Sequence, residues 1–141
     1  MTTVAWDGKL LAGDRLCCFG GTPVVTTKVF ALNGVLIGTA GLKVDGILFR
    51  EWVEKGRPAD KKPVVGDNFT GLLVEASGEL IYYDGPKLVP VPMPAGQRWS
   101  LGSGCDFALG AMAAGASAIQ AVEIACVLDV NTGLGVDYVS L

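Results

Sequence analysis

The sequence of 141 residues contains no histidine. This excludes Ser-His-Asp and Cys-His catalytic arrangements, because both use an imidazole as the general base. The four cysteines, at positions 17, 18, 105 and 126, form no C-x-x-C pair. Zinc requires three or four converging ligands, so we interpret the cysteines as small buried residues of a reducing cytoplasm. We expect no metal and no cofactor, and a cytoplasmic location.

Charged residues are also scarce, at 18% of the chain, with a net charge of −3. No basic run extends beyond Lys61-Lys62, so no nucleic-acid partner is expected. The longest apolar stretch, residues 109–128, is interrupted by polar residues and is too broken for a membrane span. Hydrophobic residues nevertheless make up 50% of the chain, which favours a homo-oligomer that covers apolar surface with further copies.

The first fifteen residues are too short and too polar for a secretory signal peptide, so we expect the chain to begin inside its fold. Residues 3–6 and 9–14 are predicted as strands joined by a tight turn at Asp7-Gly8. If Met1 is removed, Thr2 carries a hydroxyl and a free α-amine on one residue. Because an α-amine titrates near pH 8, this pair can act as nucleophile and general base.

The next segment is predicted to continue the same sheet. Residues 17–23 are interpreted as a glycine-rich connection, and residues 24–32, which are rich in β-branched side chains, as a strand. Asn33-Gly34 then predicts a hairpin turn into a strand at residues 35–39. Four strands of one sheet are therefore expected.

Apolar residues at helical spacing predict an amphipathic helix over residues 42–56. Its expected buried face carries Val44, Ile47, Leu48 and Trp52.

The second half of the chain contains strands followed by helices. A hairpin of residues 68–76 and 79–83 is expected to begin a second sheet, and the four prolines in 86–94 indicate an edge strand or an extended crossing. The remaining elements are predicted as helices at 106–115 and 117–128 and a strand at 136–139. The order lacks βαβ alternation and predicts one α+β domain, residues 1–141, with two antiparallel sheets layered with helices.

Six short motifs occur in a fixed order: Thr2-Thr3-Val4-Ala5, Ala12-Gly13-Asp14, Thr27-Lys28-Val29, Gly38-Thr39-Ala40-Gly41, Gly102-Ser103-Gly104 and Asp129-Val130-Asn131-Thr132-Gly133. Their order and spacing resemble those of proteasome β-subunits and HslV-type peptidases over nearly the whole chain. The chain is shorter than the usual member, which resembles the compact proteasome-like proteins of bacteria and phages. The resemblance implies the four-layer αββα sandwich of N-terminal-nucleophile hydrolases.

The resemblance also implies roles for individual residues. Thr2 would be the nucleophile through its hydroxyl and the general base through its freed amine. Lys28 would lie beside that hydroxyl and Asp14 would pair with the lysine. Ser103 and Asp129 would hydrogen-bond the terminal amine.

Three further assignments follow from the same resemblance. Thr132 would replace the usual serine of the family beside the terminal amine, and Gly41 would offer its backbone N–H as the oxyanion donor. The pocket for the residue before the cleaved bond would be lined by Cys17, Thr26 and Thr39. A pocket without acid or base predicts a preference for neutral apolar side chains.

The expected function is an N-terminal threonine peptidase that cleaves peptides or unfolded proteins inside a homo-oligomeric ring or barrel. An ATP-dependent unfoldase is a candidate partner. Two alternatives stay open. One is a catalytically silent or structural assembly protein, such as one associated with a virion. The other is a small-amide amidase of the same fold, because fold and nucleophile do not fix the acyl group.

Overall fold

Eleven strands and three α-helices make up the fold in a computed structural model that describes all residues, 1–141. The strands are β1 (Val4–Trp6), β2 (Leu10–Asp14), β3 (Leu16–Phe19), β4 (Thr22–Val25), β5 (Val29–Leu32), β6 (Val35–Ala40), β7 (Thr70–Val74), β8 (Leu80–Asp84), β9 (Val89–Pro92), β10 (Trp99–Leu101) and β11 (Val136–Ser140). The helices are α1 (Lys43–Glu54), α2 (Cys105–Ala113) and α3 (Ala118–Leu128), with a 3-10 turn at Ala59–Lys61.

The strands form two main antiparallel sheets. The first has the order β10-β1-β2-β11 and the second has the order β5-β6-β7-β8-β9. The two inner faces pack on each other through residues such as Val4, Leu36 and Leu72, all of which are buried. Helix α1 covers the outer face of the second sheet, and α2 with α3 covers the outer face of the first. The predicted α+β fold, an αββα sandwich, is therefore confirmed.

The two sheets are in close contact where β6 packs on β1. A Cβ atom added to Gly38 would lie only 2.7 Å from Cγ1 of Val4. Glycine at this position lets a strand of one sheet rest directly on the valine of the other, so the motif residue Gly38 has a packing role.

The expected single sheet of the first four strands is wrong, because β1 and β2 belong to one sheet and β5 and β6 to the other. Residues 17–23, interpreted as a connection, fall within a separate hairpin, β3-β4, which turns at Gly20-Gly21 with positive φ at both glycines. The predicted strand at 24–32 is likewise two strands, β4 and β5, separated by residues 26–28. All four residues of β4 are exposed, so hydrophobicity there did not report a core position.

The hairpin of β7 and β8 was predicted, but it does not begin a new sheet. Strand β7 pairs with β6, with Leu36 opposite Val74, and continues the second sheet. The proline-rich segment forms β9 at the edge of this sheet, where the missing amide hydrogens need no partner. Strand β10 was not predicted; its three residues pair with β1 and hold the start of α2 against the first sheet.

The predicted buried face of α1 is wrong apart from Trp52. Val44, Ile47 and Leu48 are exposed, and the helix buries Asp45, Phe49, Trp52 and Val53 instead. The buried Asp45 side chain accepts a hydrogen bond of 3.0 Å from the amide of Gly66. Because apolar residues occur on both sides of the helix, periodicity alone did not identify the inner side.

Helix α3 begins with a capping box. The Ser117 hydroxyl accepts a hydrogen bond from the amide of Gln120 at 3.2 Å, and the Gln120 side chain accepts one from the amide of Ser117 at 3.0 Å. The amide of Ala118 donates to Asp7 in the β1–β2 turn at 2.8 Å. The start of α3 is thereby linked to the first hairpin.

None of the helices has both the length and the hydropathy of a membrane-spanning segment.

The corrected face of α1 can be tested by truncation of Phe49, which is fully buried among the rings of Trp52, Phe69 and Tyr83. Phe49→Ala should lower the free energy of unfolding by about 3–5 kcal/mol, because it leaves a cavity between helix and sheet. The matched change Val44→Ala, at a residue that is 57% exposed, should change it by less than about 0.5 kcal/mol. Urea unfolding of the two variants measures both values, and equal losses would restore the original assignment of the face.

Candidate active site

Thr2 lies immediately before β1, at a place where three other chain segments come together. Strand β1 is flanked by β2, which ends at Asp14, and by β10, which ends at Leu101 just before Ser103. The register places Val4 opposite both Gly13 and Leu101. Residues far apart in sequence therefore meet at the amino-terminal end of β1.

The Asp14 carboxylate is fully buried and accepts four hydrogen bonds. Its Oδ1 accepts from Lys28 Nζ at 2.8 Å and from the Thr3 amide at 2.9 Å. Its Oδ2 accepts from the amides of Leu16 and Gly133, each at 3.1 Å. Lys28, 8% exposed, is thus held in a salt bridge whose carboxylate is solvated by backbone amides.

A second polar group lies on the nitrogen side of Thr2. The Thr2 N–H donates to Ser103 Oγ at 3.2 Å, and Ser103 Oγ donates to Asp129 Oδ2 at 2.6 Å. Thr132 Oγ1 donates to the same carboxylate oxygen at 2.7 Å and lies 2.8 Å from Thr3 Oγ1. Because the Thr132 hydroxyl hydrogen is committed to Asp129, this contact has Thr3 as the donor. Thr3 is a member of the group that sequence reasoning missed.

Asp129 is ionised by its surroundings. Burial acts to raise its pKa, but hydrogen bonds from Ser103, Thr132 and the Asn131 amide, together with the charge of the chain's amino terminus, lower the pKa below its usual value. The Asp129 carboxylate therefore carries a negative charge at neutral pH and favours a positive charge on the nitrogen side of Thr2.

The hydroxyl of Thr2 and the ammonium of Lys28 contact the same atom. Thr2 Oγ1 donates to the carbonyl oxygen of Met1 at 2.5 Å, and Lys28 Nζ donates to it at 3.2 Å. In the chain with Met1 attached, the nitrogen of Thr2 is an amide and its hydroxyl is bonded to the preceding carbonyl. Both groups therefore converge on one polar position beside Thr2.

Two glycines allow this convergence. A Cβ atom on Gly102 would lie 2.0 Å from the carbonyl oxygen of Thr2, and one on Gly104 would lie 2.0 Å from Thr3 Oγ1. The Gly102-Ser103-Gly104 motif thus brings the serine against the chain start, and the glycines on either side of it are the pattern that could have revealed this contact. Gly41, with a φ of 122°, packs against the Phe69 backbone and also lines the cavity beside Thr2.

A cavity of about 210 Å³ opens beside Thr2. Cys17, Thr26 and Thr39, the residues expected to line the substrate pocket, are among the residues of its wall. The expectation of an uncharged pocket is wrong, because Lys43 and Arg50 of α1 also line the cavity and no Asp or Glu does. Both residues belong to α1, the helix whose buried face the sequence pattern assigned wrongly.

No group of three or more His, Cys, Asp or Glu side chains is arranged to hold a metal ion.

The arrangement can be compared with solved structures. BPH from Thiobacillus denitrificans, solved in complex with epoxomicin, superposes with a TM-score of 0.69 at 15% identity, covering 99% of this chain and 97% of BPH. Eukaryotic HslV from Trypanosoma brucei gives 0.70 at 20% identity, with 98% and 97% covered. This protein has the HslV-type fold. Anbu from Hyphomicrobium sp. strain MC1, a Gly-1 mutant, gives 0.73 at 11% identity, with 100% of this chain and 81% of Anbu covered.

The sequence itself matches no protein-family model and no curated protein. The likeness to the three solved structures is a likeness of fold. It identifies the architecture, whereas the chemistry depends on the residues beside Thr2.

The hydrogen bonding of Asp14 predicts an asymmetry between the two members of the salt bridge. Asp14→Ala leaves a buried ammonium without its carboxylate and three amides without an acceptor, and should cost at least about 3 kcal/mol of unfolding free energy. Lys28→Met should cost less, because three amides still solvate Asp14. Urea unfolding is the measurement, with exposed Lys62→Met as the control. A Lys28→Met variant that is less stable than Asp14→Ala would contradict this account of the pair.

Proposed function

We propose that the protein is an N-terminal threonine peptidase that becomes active when Met1 is removed. The observation that carries the proposal is the convergence of the Thr2 hydroxyl and the Asp14-bound Lys28 ammonium on one polar position at the cavity wall. The Ser103–Asp129–Thr132 group on the opposite side of Thr2 supports it, since this group is suited to hold a free amine.

Removal of Met1 would convert the Thr2 amide into a primary amine and free the Thr2 hydroxyl from the Met1 carbonyl. The hydroxyl would then attack the carbonyl carbon of a substrate peptide bond while its proton passes to the amine of Thr2. Lys28 would stabilise negative charge on the threonine oxygen. Asp129 and Ser103 would hold the amine and the ammonium that forms from it.

Collapse of the tetrahedral intermediate would break the peptide bond, with the proton passing from the ammonium to the leaving amine. The acyl group would remain on Thr2 as an ester. A water molecule, deprotonated by the same amine, would attack this ester, release the new carboxyl end and regenerate Thr2. Gly41 would donate its backbone N–H to the oxyanion in both steps, since it lies in the cavity wall and carries no side chain to block a substrate.

A homo-oligomeric ring or barrel is part of the proposal, because an unselective amide-cleaving site must be kept away from folded proteins. The end of α3 supports it, because four apolar side chains there are exposed: Ile124, Val127, Leu128 and Val130. Val127 is 84% exposed and Val130 is 92% exposed, and such a surface is costly in a monomer. An unfolded-protein substrate would then need a partner that unfolds it, for which an ATP-dependent unfoldase is the natural class.

The silent or structural function is the second candidate, and it requires that Met1 stays attached. With Met1 attached, the nitrogen of Thr2 is an amide that lacks a basic lone pair, and the nucleophile is bonded to the Met1 carbonyl. If Met1 is retained, the same fold can serve assembly alone. A small-amide amidase would share the chemistry of the peptidase and differ in cleaving only short substrates.

The mechanism predicts a pattern of activity losses in protein whose intact mass lacks one methionine. Thr2→Ala should lower peptide turnover by at least about 10³-fold, whereas Thr2→Ser should retain part of it because hydroxyl and amine both survive. Lys28→Ala should be nearly as damaging as Thr2→Ala. The double variant should be no worse than Thr2→Ala, because residues that act as one unit lose activity non-additively.

Turnover is measured with fluorogenic peptides, and circular dichroism serves as the control for folding. A folded Lys28→Ala protein with undiminished turnover would overturn the mechanism. A wild-type mass that retains Met1, together with no turnover, would support the silent candidate.

Assembly is tested separately. Light scattering should give a mass several times the 14.6 kDa of the single chain. Val127→Lys should lower that mass, because burying an ammonium in an apolar interface is unfavourable, while Lys62→Met should leave it unchanged. A wild-type chain that remains monomeric at micromolar concentration would rule out the compartment and leave the amidase ahead of the peptidase.

A further inference from the structure

The cavity beside Thr2 carries an unbalanced positive charge. Three cations line it, Lys28, Lys43 and Arg50, and no carboxylate does. The chain has three salt bridges, Arg15–Asp137, Lys28–Asp14 and Arg57–Glu75. Lys28 is therefore neutralised by Asp14, whereas Lys43 and Arg50 have no acidic partner within 4.0 Å. In a protein with a net charge of −3, this is a local reversal of sign.

Lys43 lies at the start of α1 and its ammonium is held in position. Its Nζ donates a hydrogen bond to Thr26 Oγ1, on the chain segment between β4 and β5. An ammonium has three donors, so two remain for another acceptor. A cation at a helix start is also unfavourable to the helix dipole, and nothing in the packing of α1 requires it there.

Arg50 is half-buried two turns further along α1. Its guanidinium carbon lies 4.2 Å from the centre of the Phe30 ring, a cation–π contact that fixes the plane of the group. None of its five N–H donors makes a hydrogen bond to the protein, although Arg15, Arg57 and Arg98 all do so. A planar, oriented guanidinium with free donors is suited to a carboxylate.

We propose that this cavity binds an acidic side chain, that of a glutamate or aspartate immediately before the bond that is cleaved. The inference rests on the proposed peptidase function and replaces the apolar preference that the resemblance implied. Lys43 and Arg50 line the cavity, and neither has a carboxylate partner in its own chain. Cys17 and Thr39 are among the uncharged residues of its wall, against which the methylene groups of a glutamate can pack.

The test compares two fluorogenic peptides that differ only in glutamate or glutamine before the fluorophore amide. The two side chains have the same shape, so their ratio of kcat/KM reports the charge alone. We expect glutamate to be favoured at least about tenfold, the scale of a charge-assisted hydrogen bond. The ratio should fall toward one in the Lys43→Met, Arg50→Met double variant, in which methionine keeps the aliphatic length. It should also fall as salt is raised.

Lys62→Met is the matched control, because Lys62 is an exposed lysine that does not line the cavity, and it should leave the ratio unchanged. Equal rates for the two peptides, or a ratio that survives in the double variant, would overturn the proposal while leaving the peptidase intact.

A binding measurement keeps the proposal testable if no peptide is cleaved. Fluorescein-labelled peptides amidated at the carboxyl end, with one central glutamate or glutamine, are titrated against the Thr2→Ala protein, and fluorescence anisotropy is read. The side chain is then the only carboxylate that distinguishes the peptides. Tighter binding of the glutamate peptide, lost in a Thr2→Ala, Lys43→Met, Arg50→Met variant, supports the cavity as an acidic subsite even without turnover. Equal binding of both peptides refutes it.

Discussion

The buried carboxylate of Asp14 is the interaction on which the rest of the site depends. Four chain segments donate to it, through the Thr3 amide, the Leu16 amide, the Lys28 ammonium and the Gly133 amide. A buried charge is tolerated only when it is fully hydrogen-bonded, so these donors must assemble together for the fold to accept the aspartate. The same carboxylate that joins the start of β1 to three distant segments also fixes Lys28 beside Thr2.

Close backbone contact is the second constraint. Gly38 lets β6 lie on Val4 of β1, and Gly102 and Gly104 let the chain after β10 lie on Thr2 and Thr3. At each of these positions a methyl group would overlap an atom of the amino-terminal strand or the residues just before it. The first residues are thus enclosed on two sides by glycines, which explains why a terminal segment, usually mobile, is buried here from Thr2 onward.

The cations around Thr2 fall into two electrostatic classes. Lys28 is paired with Asp14 and also contacts the Met1 carbonyl beside Thr2, whereas Lys43 and Arg50 lie on α1 with free donors that face the cavity. The difference comes from α1, whose inner face carries Asp45, Phe49, Trp52 and Val53 against the second sheet. Because those residues face the second sheet, Lys43 and Arg50 are turned toward the cavity beside Thr2. The packing of α1 on the sheet therefore sets the charge of the cavity.

Elements with local causes could be predicted from the sequence, namely the turn at Asp7-Gly8, the capping box of α3 and the proline-bearing edge strand. The absence of histidine likewise excluded an imidazole as the general base. It also indicated the residues beside Thr2, since six motifs in fixed order resembled one architecture. The tertiary structure was needed to show which sheet each strand joins, which side of α1 is buried and which charges line the cavity. These depend on contacts between segments far apart in the chain. Val44 and Phe49 are both apolar residues of α1, so the sequence did not distinguish them. Phe49 belongs to the core because the second sheet packs against it, whereas Val44 is exposed.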